Sequence, residues 1–141
     1  MKISDILRLK SGEVFRITAE ATIRELLASL AERDIGALVV MDGPSLIGMV
    51  SERDVVRQLH ERGQELLDAQ VSEIMTSPVH SCEAHDDVDR VAESMTEKRV
   101  RHMPVLAGEE LVGLVSIGDV DKSRIEQLEV DRGQLEHYIT G

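Results

Sequence analysis

The chain has 141 residues and a formal charge of −11, from 16 basic and 27 acidic side chains; that surplus repels a phosphate backbone and excludes bulk nucleic-acid binding, which needs a broad basic face. Phe15 and Tyr138 are the only rings of the Phe, Tyr and Trp class, so a base-stacking platform is missing and the core must be aliphatic. Cys82 stands alone, the start lacks a signal peptide's apolar run, and no stretch approaches the about 18 apolar residues of a membrane span, so a cytoplasmic protein without disulfides, thiolate metal cluster or membrane contact is expected.

In chain order, Ser4 to Leu9 reads as a short amphipathic helix, followed by the turn-prone Lys10-Ser11-Gly12-Glu13 and a strand over Val14 to Ile17. Helix is predicted from Thr22 to Arg33, because Ile23, Leu26, Leu27 and Leu30 fall on one face. Strands follow at Ala37–Met41 and Leu46–Ser51, joined through Asp42-Gly43-Pro44-Ser45, whose residues favour a tight turn. A second helix starts at Ser51-Glu52-Arg53-Asp54 and runs to Arg62. After a linker the strand-helix-strand-strand-helix order begins again at Val79. From Val120 to Tyr138 the chain is highly charged, with an imperfect heptad-like stripe at Ile125, Leu128, Leu135 and Ile139. A helix is predicted there, either folded back on its own domain or held for a dimer contact.

The recurrence is an internal repeat, and it decides the fold before any local argument does. Gly48-Met49-Val50-Ser51-Glu52-Arg53-Asp54-Val55 returns as Gly113-Leu114-Val115-Ser116-Ile117-Gly118-Asp119-Val120. At the same spacing Val14, Ala19, Ser29, Glu32, Val40, Gly43 and Leu46 meet Val79, Ala84, Ser94, Glu97, Val105, Gly108 and Leu111 without a gap. Val71-Ser72-Glu73-Ile74-Met75-Thr76 echoes Ile3-Ser4-Asp5-Ile6-Leu7-Arg8 at a spacing three residues longer. The expected organisation is a first repeat over 1–62, a linker over 63–70, a second repeat over 71–122 and a C-terminal helix over 123–141. The mixed order within each repeat predicts an α/β (α+β) fold with helices covering small sheets.

Each Ser-x-x-Asp, taken alone, is explained as a capping box, in which the Ser oxygen and the carboxylate satisfy free amides at a helix start. Its duplication behind an apolar strand points further, because a strand-to-helix turn is a ready anion site. There the Ser hydroxyl can bind phosphate and the Asp can accept from ribose hydroxyls. Arg99-Val100-Arg101-His102-Met103-Pro104-Val105 places a Pro within a strand pattern, which predicts an edge or irregular strand with main-chain groups left over for a purine edge.

These residues resemble a tandem pair of cystathionine-β-synthase (CBS) domains, a Bateman module. The resemblance is carried by Gly-h-h-Ser-x-x-Asp twice (h meaning apolar), by His102-Met103-Pro104-Val105, and by Asp5-Ile6-Leu7 and Glu73-Ile74-Met75 leading into the repeats. It spans about residues 1 to 122 and is nearest to small stand-alone proteins that consist of little besides the pair. The resemblance implies β-α-β-β-α repeats related by a pseudo-twofold axis, with adenosine-containing ligands in two clefts and no cofactor required for chemistry. Carried over, Ser116 binds phosphate, Asp119 ribose, and the backbone around His102, Met103 and Pro104 adenine, with Arg101 as a phosphate partner. In the first repeat Ser51 and Asp54 take the same roles, Ala37 and Leu38 lie along the base, and Arg53 reaches a phosphate. Val39 stands where the second repeat has Pro104, and Glu52 sets a negative charge beside Ser51; both weaken or redirect the first site.

Catalysis finds no support. His60, His80, His85, His102 and His137 lack metal-ligand spacing, and Asp86-Asp87-Val88-Asp89 lacks a calcium loop's alternation and closing Glu. The expectation is a non-catalytic sensor of AMP, ATP or NAD(H), acting through conformational change, a homodimer or a protein target. The alternatives are a regulatory subunit of a metabolic enzyme and a structural dimer that binds nothing.

Overall fold

The computed structural model describes residues 1–10 and 13–140; the predicted turn at Ser11 and Gly12, and Gly141 at the end of the predicted last helix, lie outside the described residues. The described chain forms two compact units, one made of residues 13–80 and the other of residues 1–10 with 81–140.

In the 13–80 unit, β1 (Arg16–Ile17), β2 (Ala37–Asp42) and β3 (Ser45–Ser51) make one sheet in that order, with β1 parallel and β3 antiparallel to β2. The predicted strand from Val14 is thus two residues long. Helix α2 (Ile23–Arg33) starts where Thr22 accepts from the Glu25 amide, and it buries Ile23, Leu26 and Leu30, three of the four residues the periodicity had put on one face. Helix α3 (Glu52–Arg62) follows β3 directly, and 3₁₀ turns follow over Gly63–Asp68, inside the stretch expected as a linker, and over Val71–Glu73 in the echo segment. The core joins α2 to Leu38, Val40 and Val50 of the sheet, Val55 of α3, and Leu66, Val71 and Ile74 of the turns.

The other unit is built alike. β4 (Cys82–Glu83), β5 (His102–Ala107) and β6 (Glu110–Ser116) form the sheet, with α4 (Val88–Lys98) between β4 and β5. Its core gathers Val88, Val91, Ala92 and Met95 of α4, Met103, Val105 and Val115 of the sheet, and Val120. Both sheets slip register at the matching place, between Val40 and Met41 and between Val105 and Leu106, so the bulge is itself repeated. Both hairpins turn through a left-handed glycine, Gly43 at φ 57° and Gly108 at φ 65°.

Helix α1 (Ile3–Leu9) packs with the second repeat: Ile3 and Ile6 are core residues beside Val88 and Met103. Its main chain is tied there by Ile3 N to Asp86 O at 3.0 Å and Ser4 N to Ala84 O at 2.8 Å. In the 13–80 unit the echo segment makes the matching bonds, Val71 N to Ala21 O at 2.8 Å and Ser72 N to Ala19 O at 3.0 Å. Helix α5 (Ile117–Thr140) is continuous, so the helix expected after Ser116 and the C-terminal helix are one element. Gly133 does not interrupt it. Beyond Ser123 every described residue of α5 is exposed, so this part of the helix adds no buried residue to the core of its unit.

Candidate functional site

The strand-to-helix turn at Ser116 is closed from three sides. The Asp119 amide donates to Ser116 Oγ at 3.1 Å, the Ser116 amide donates to Asp119 Oδ2 at 2.9 Å, and the Ile117 amide donates to Arg101 O at 2.8 Å. Two of the first three helical amides are therefore taken by the turn itself, so the anion-binding potential expected of a bare helix start resides largely in the Ser116 hydroxyl and in neighbouring cations. His102 stands directly across from Ser116 in the β5–β6 register, which puts the start of β5 beside the turn.

β5 is the middle strand of its sheet, against the edge position that Pro104 suggested, yet the physical reason for that expectation survives locally. β4 meets β5 only at Val105 and Leu106, so the stretch His102–Pro104 is paired with β6 on one side, and among the described residues no strand pairs with it on the other. Met103 is buried in the core, so only its main chain can serve a ligand; Arg101 is exposed.

A residue that the sequence reading passed over completes this turn. Lys10 Nζ donates to Asp119 Oδ2 at 2.7 Å and to Leu114 O at 2.9 Å. Burial by itself raises the Asp119 carboxyl, but the hydrogen bonds from Lys10 and Ser116 and the ammonium charge outweigh it and hold Asp119 below the ordinary carboxylate value. The lysine closes α1, its own amide donating to Ile6 O at 3.1 Å. Its closeness to Asp119 follows from α1 packing into this unit, which no local sequence signal announces.

The turn at Ser51 repeats the frame with different chemistry. Ser51 N donates to Asp54 Oδ2 at 2.8 Å, the Asp54 amide donates to Ser51 Oγ at 3.3 Å, and Glu52 N donates to Gly36 O at 2.9 Å. Ala37 stands across from Ser51, and β1 pairs with β2 only at Val39 and Val40, so among the described residues no strand pairs with the Ala37–Leu38 stretch on that side. The Leu38 side chain is in the core, and Arg53 is exposed. Here the Ser51 hydroxyl lies 3.1 Å from Asp54 Oδ2 and is placed to donate to it. Among the described residues no lysine or arginine pairs with Asp54.

Among the described residues no group of three or more His, Cys, Asp or Glu is placed to hold a metal ion, and no helix is long and apolar enough to cross a membrane. A cavity of about 450 Å³ lies between α4 and α5, lined by Val88, Asp89, Ser123, Arg124 and Leu128, apart from either Ser-Asp turn.

Comparison with known proteins agrees with this frame. The CBS domain model matches residues 3–61 and 71–126. The mitochondrial CBS domain-containing protein CBSX3 of Arabidopsis thaliana is 30% identical over 148 residues, covering 99% of this chain and 72% of the relative. The crystal structure of a CBS-domain containing protein from Agrobacterium tumefaciens superposes with a TM-score of 0.84 at 35% identity, covering 88% of this chain and 99% of the other. A CBS domain protein from Pyrobaculum aerophilum, solved in complex with AMP, superposes with a TM-score of 0.78 at 29% identity, covering 94% of this chain and 99% of the other.

Proposed function

The chain belongs to the CBS domain family, and on that premise we propose that it is a non-catalytic regulatory module that binds an adenine nucleotide of the AMP, ATP or NAD(H) class. The observation that carries this reading is the turn built twice: a Ser and an Asp fixed by mutual hydrogen bonds, each Ser directly across from the first residue of the neighbouring strand. In the second repeat Ser116 and Arg101 serve the phosphate, Asp119 the ribose, and the backbone of His102, Met103 and Pro104 the base. In the first, Ser51 and Arg53 serve the phosphate, Asp54 the ribose, and the backbone of Ala37 and Leu38 the base. The AMP complex of the Pyrobaculum aerophilum relative supports the ligand class.

Occupancy acts on a partner or on a second copy, and this requires that the ligand bind two arrangements of the protein with different affinity. The second copy is suited by exposed apolar residues on α3, Val56 and Leu59, and on the outer part of α5. The protein works in the cytoplasm. Calorimetry with AMP, ADP, ATP, NAD, NADH and S-adenosylmethionine tests the proposal. Saturable binding of up to two ligands per chain is the expected result; no heat and no melting shift with any of them would leave the Ser-Asp turns as capping devices of a structural protein.

A further inference from the structure

We propose that Lys10 is the residue by which the Ser116 site tells a phosphorylated ligand from a bare nucleoside. The inference rests on the nucleotide-binding reading above and adds to it a residue that lies outside both repeated motifs. Lys10 Nζ is within hydrogen-bond distance of the Asp119 oxygen that also accepts from the Ser116 amide, so the ammonium stands at the carboxylate of the Ser116 turn, the group assigned to ribose. Both partners remain partly open to solvent, with side-chain exposures of 42% for Lys10 and 27% for Asp119. The pair can therefore exchange for a ligand without unpacking the core.

The exchange has a sign that depends on the ligand's charge. Lys10 and the Ser116 amide both bond Asp119 Oδ2, so a ribose hydroxyl that bonds this oxygen competes with Lys10 for it. A nucleotide brings a phosphate to the same turn, and the ammonium, on a flexible four-carbon stem, passes from carboxylate to phosphate. One charge-assisted hydrogen bond replaces another. A nucleoside takes the carboxylate and returns nothing to the ammonium except solvent and Leu114 O. The Ser51 turn has no counterpart: the leading-segment echo places Pro78 where Lys10 stands, and the Ser51 hydroxyl takes the place of the ammonium on Asp54.

Calorimetric titration of the full chain carrying Asp54→Ala, which isolates the Ser116 site, tests this with AMP and adenosine as probes. Lys10→Met should weaken AMP about tenfold to a hundredfold, the loss of a hydrogen bond to a charged group, and leave adenosine unchanged or tighter. Lys10→Arg should restore most of the preference for AMP. An AMP-to-adenosine affinity ratio that Lys10→Met leaves unchanged overturns the proposal while the nucleotide-binding reading stands. Binding of neither ligand by the unsubstituted chain overturns both. The ammonium resonance of Lys10 in the unsubstituted protein provides a readout independent of mutant folding: it should shift on saturation with AMP, and a signal that does not move refutes the assignment.

Discussion

Leu7 lies over Gly113: a Cβ added at position 113 would stand 2.6 Å from Leu7 Cδ2 and 2.9 Å from Leu7 Cδ1. Gly48 meets Met75 in the same manner, with a Cβ there 2.6 Å from Met75 Sδ. Leu7 and Met75 are matching residues of the leading-segment echo, and each presses on the repeat that follows the other in sequence. The glycine before each Ser-x-x-Asp is thus a seat for a side chain next to the turn, which is why the motif carries it. Gly113→Val should destabilise the fold by about 1–3 kcal/mol through overpacking. Denaturant unfolding of Gly113→Val in the Leu7→Ala background should recover part of that loss, and full additivity of the two changes would show that the contact is not what costs.

The repeat was legible because strands, helix faces and the Ser-x-x-Asp all align at one spacing. The leading segments were legible only as an echo at a spacing three residues longer, and that offset is the trace of a separate attachment. Which sheet Ile3 and Ile6 join is a tertiary choice that periodicity does not encode, since both units offer an aliphatic face. Lys10 was missed for the same reason. A lysine after a short helix has no local mark of a site until the helix is docked. Val55 and Val120 show the converse: each follows the Asp of its motif, and each is buried in the core of its own unit. The first turn of a helix leaving a sheet edge points inward, whereas Val56 and Leu59, further round and along α3, are 67% and 43% exposed.

The roles assigned to Ser116 and Asp119 separate by ligand. Asp119→Ala should weaken adenosine and AMP alike, because a ribose contact does not depend on the phosphate. Ser116→Ala should weaken AMP more, by about 1.5–3 kcal/mol for a hydrogen bond to a charged group. Since both side chains also cap α5, each variant needs its melting temperature beside its affinity. Equal losses for both ligands in both variants would indicate an uncapped helix rather than two ligand contacts.

Cys82 is a buried β4 residue whose thiol is pushed up to about 12, by burial first and then by the negative charges of Asp86 and Glu83. Only the thiolate is a nucleophile, so alkylation at pH 8 should be far slower in the native protein than in denaturant. The linkage has a definite sign. Below the ordinary thiol value, about 8.5, both states hold the proton and stability is unaffected. Between that value and about 12 the unfolded chain loses the proton while the native chain keeps it, so stability falls with rising pH. Cys82→Ala should remove that part of the alkaline decline. Native-state alkylation as fast as in denaturant would show that β4 opens readily.

Helices α2 and α4 both end in a left-handed residue that is not glycine, Asp34 at φ 51° and Arg99 at φ 55°. Asp tolerates that conformation better than Arg, whose Cβ crowds the following carbonyl. Arg99→Gly should therefore stabilise the protein by about 0.5–1 kcal/mol after the larger unfolded-state entropy of glycine is counted. Asp34→Gly should gain less. Thermal unfolding of both variants checks the order, and a loss at Arg99 would mean that its side chain makes a contact worth more than the strain.

Two groups of exposed apolar residues, one on α3 and one on α5, are candidate contacts, and truncation tells them apart. Ser123 Oγ contacts Met1 Sδ and Arg124 pairs with Asp89, so the inner part of α5 belongs to its own unit. Leu128, Val130, Leu135, Tyr138 and Ile139 lie further out and are more than half exposed, with Leu128 at 67% and Ile139 at 79%. A chain ending at Gln127 keeps the first set of contacts and removes the second. If the outer stripe joins two copies, light scattering should give a dimer for the full chain and a monomer for the shortened one. If Val56 and Leu59 of α3 form the contact, the shortened chain stays dimeric and Leu59→Glu dissociates it, because burying a carboxylate at an interface without a partner costs more than the apolar area there returns. A monomeric full-length chain at the concentrations used for calorimetry would rule out the self-association proposed here and leave occupancy to be read by a different protein.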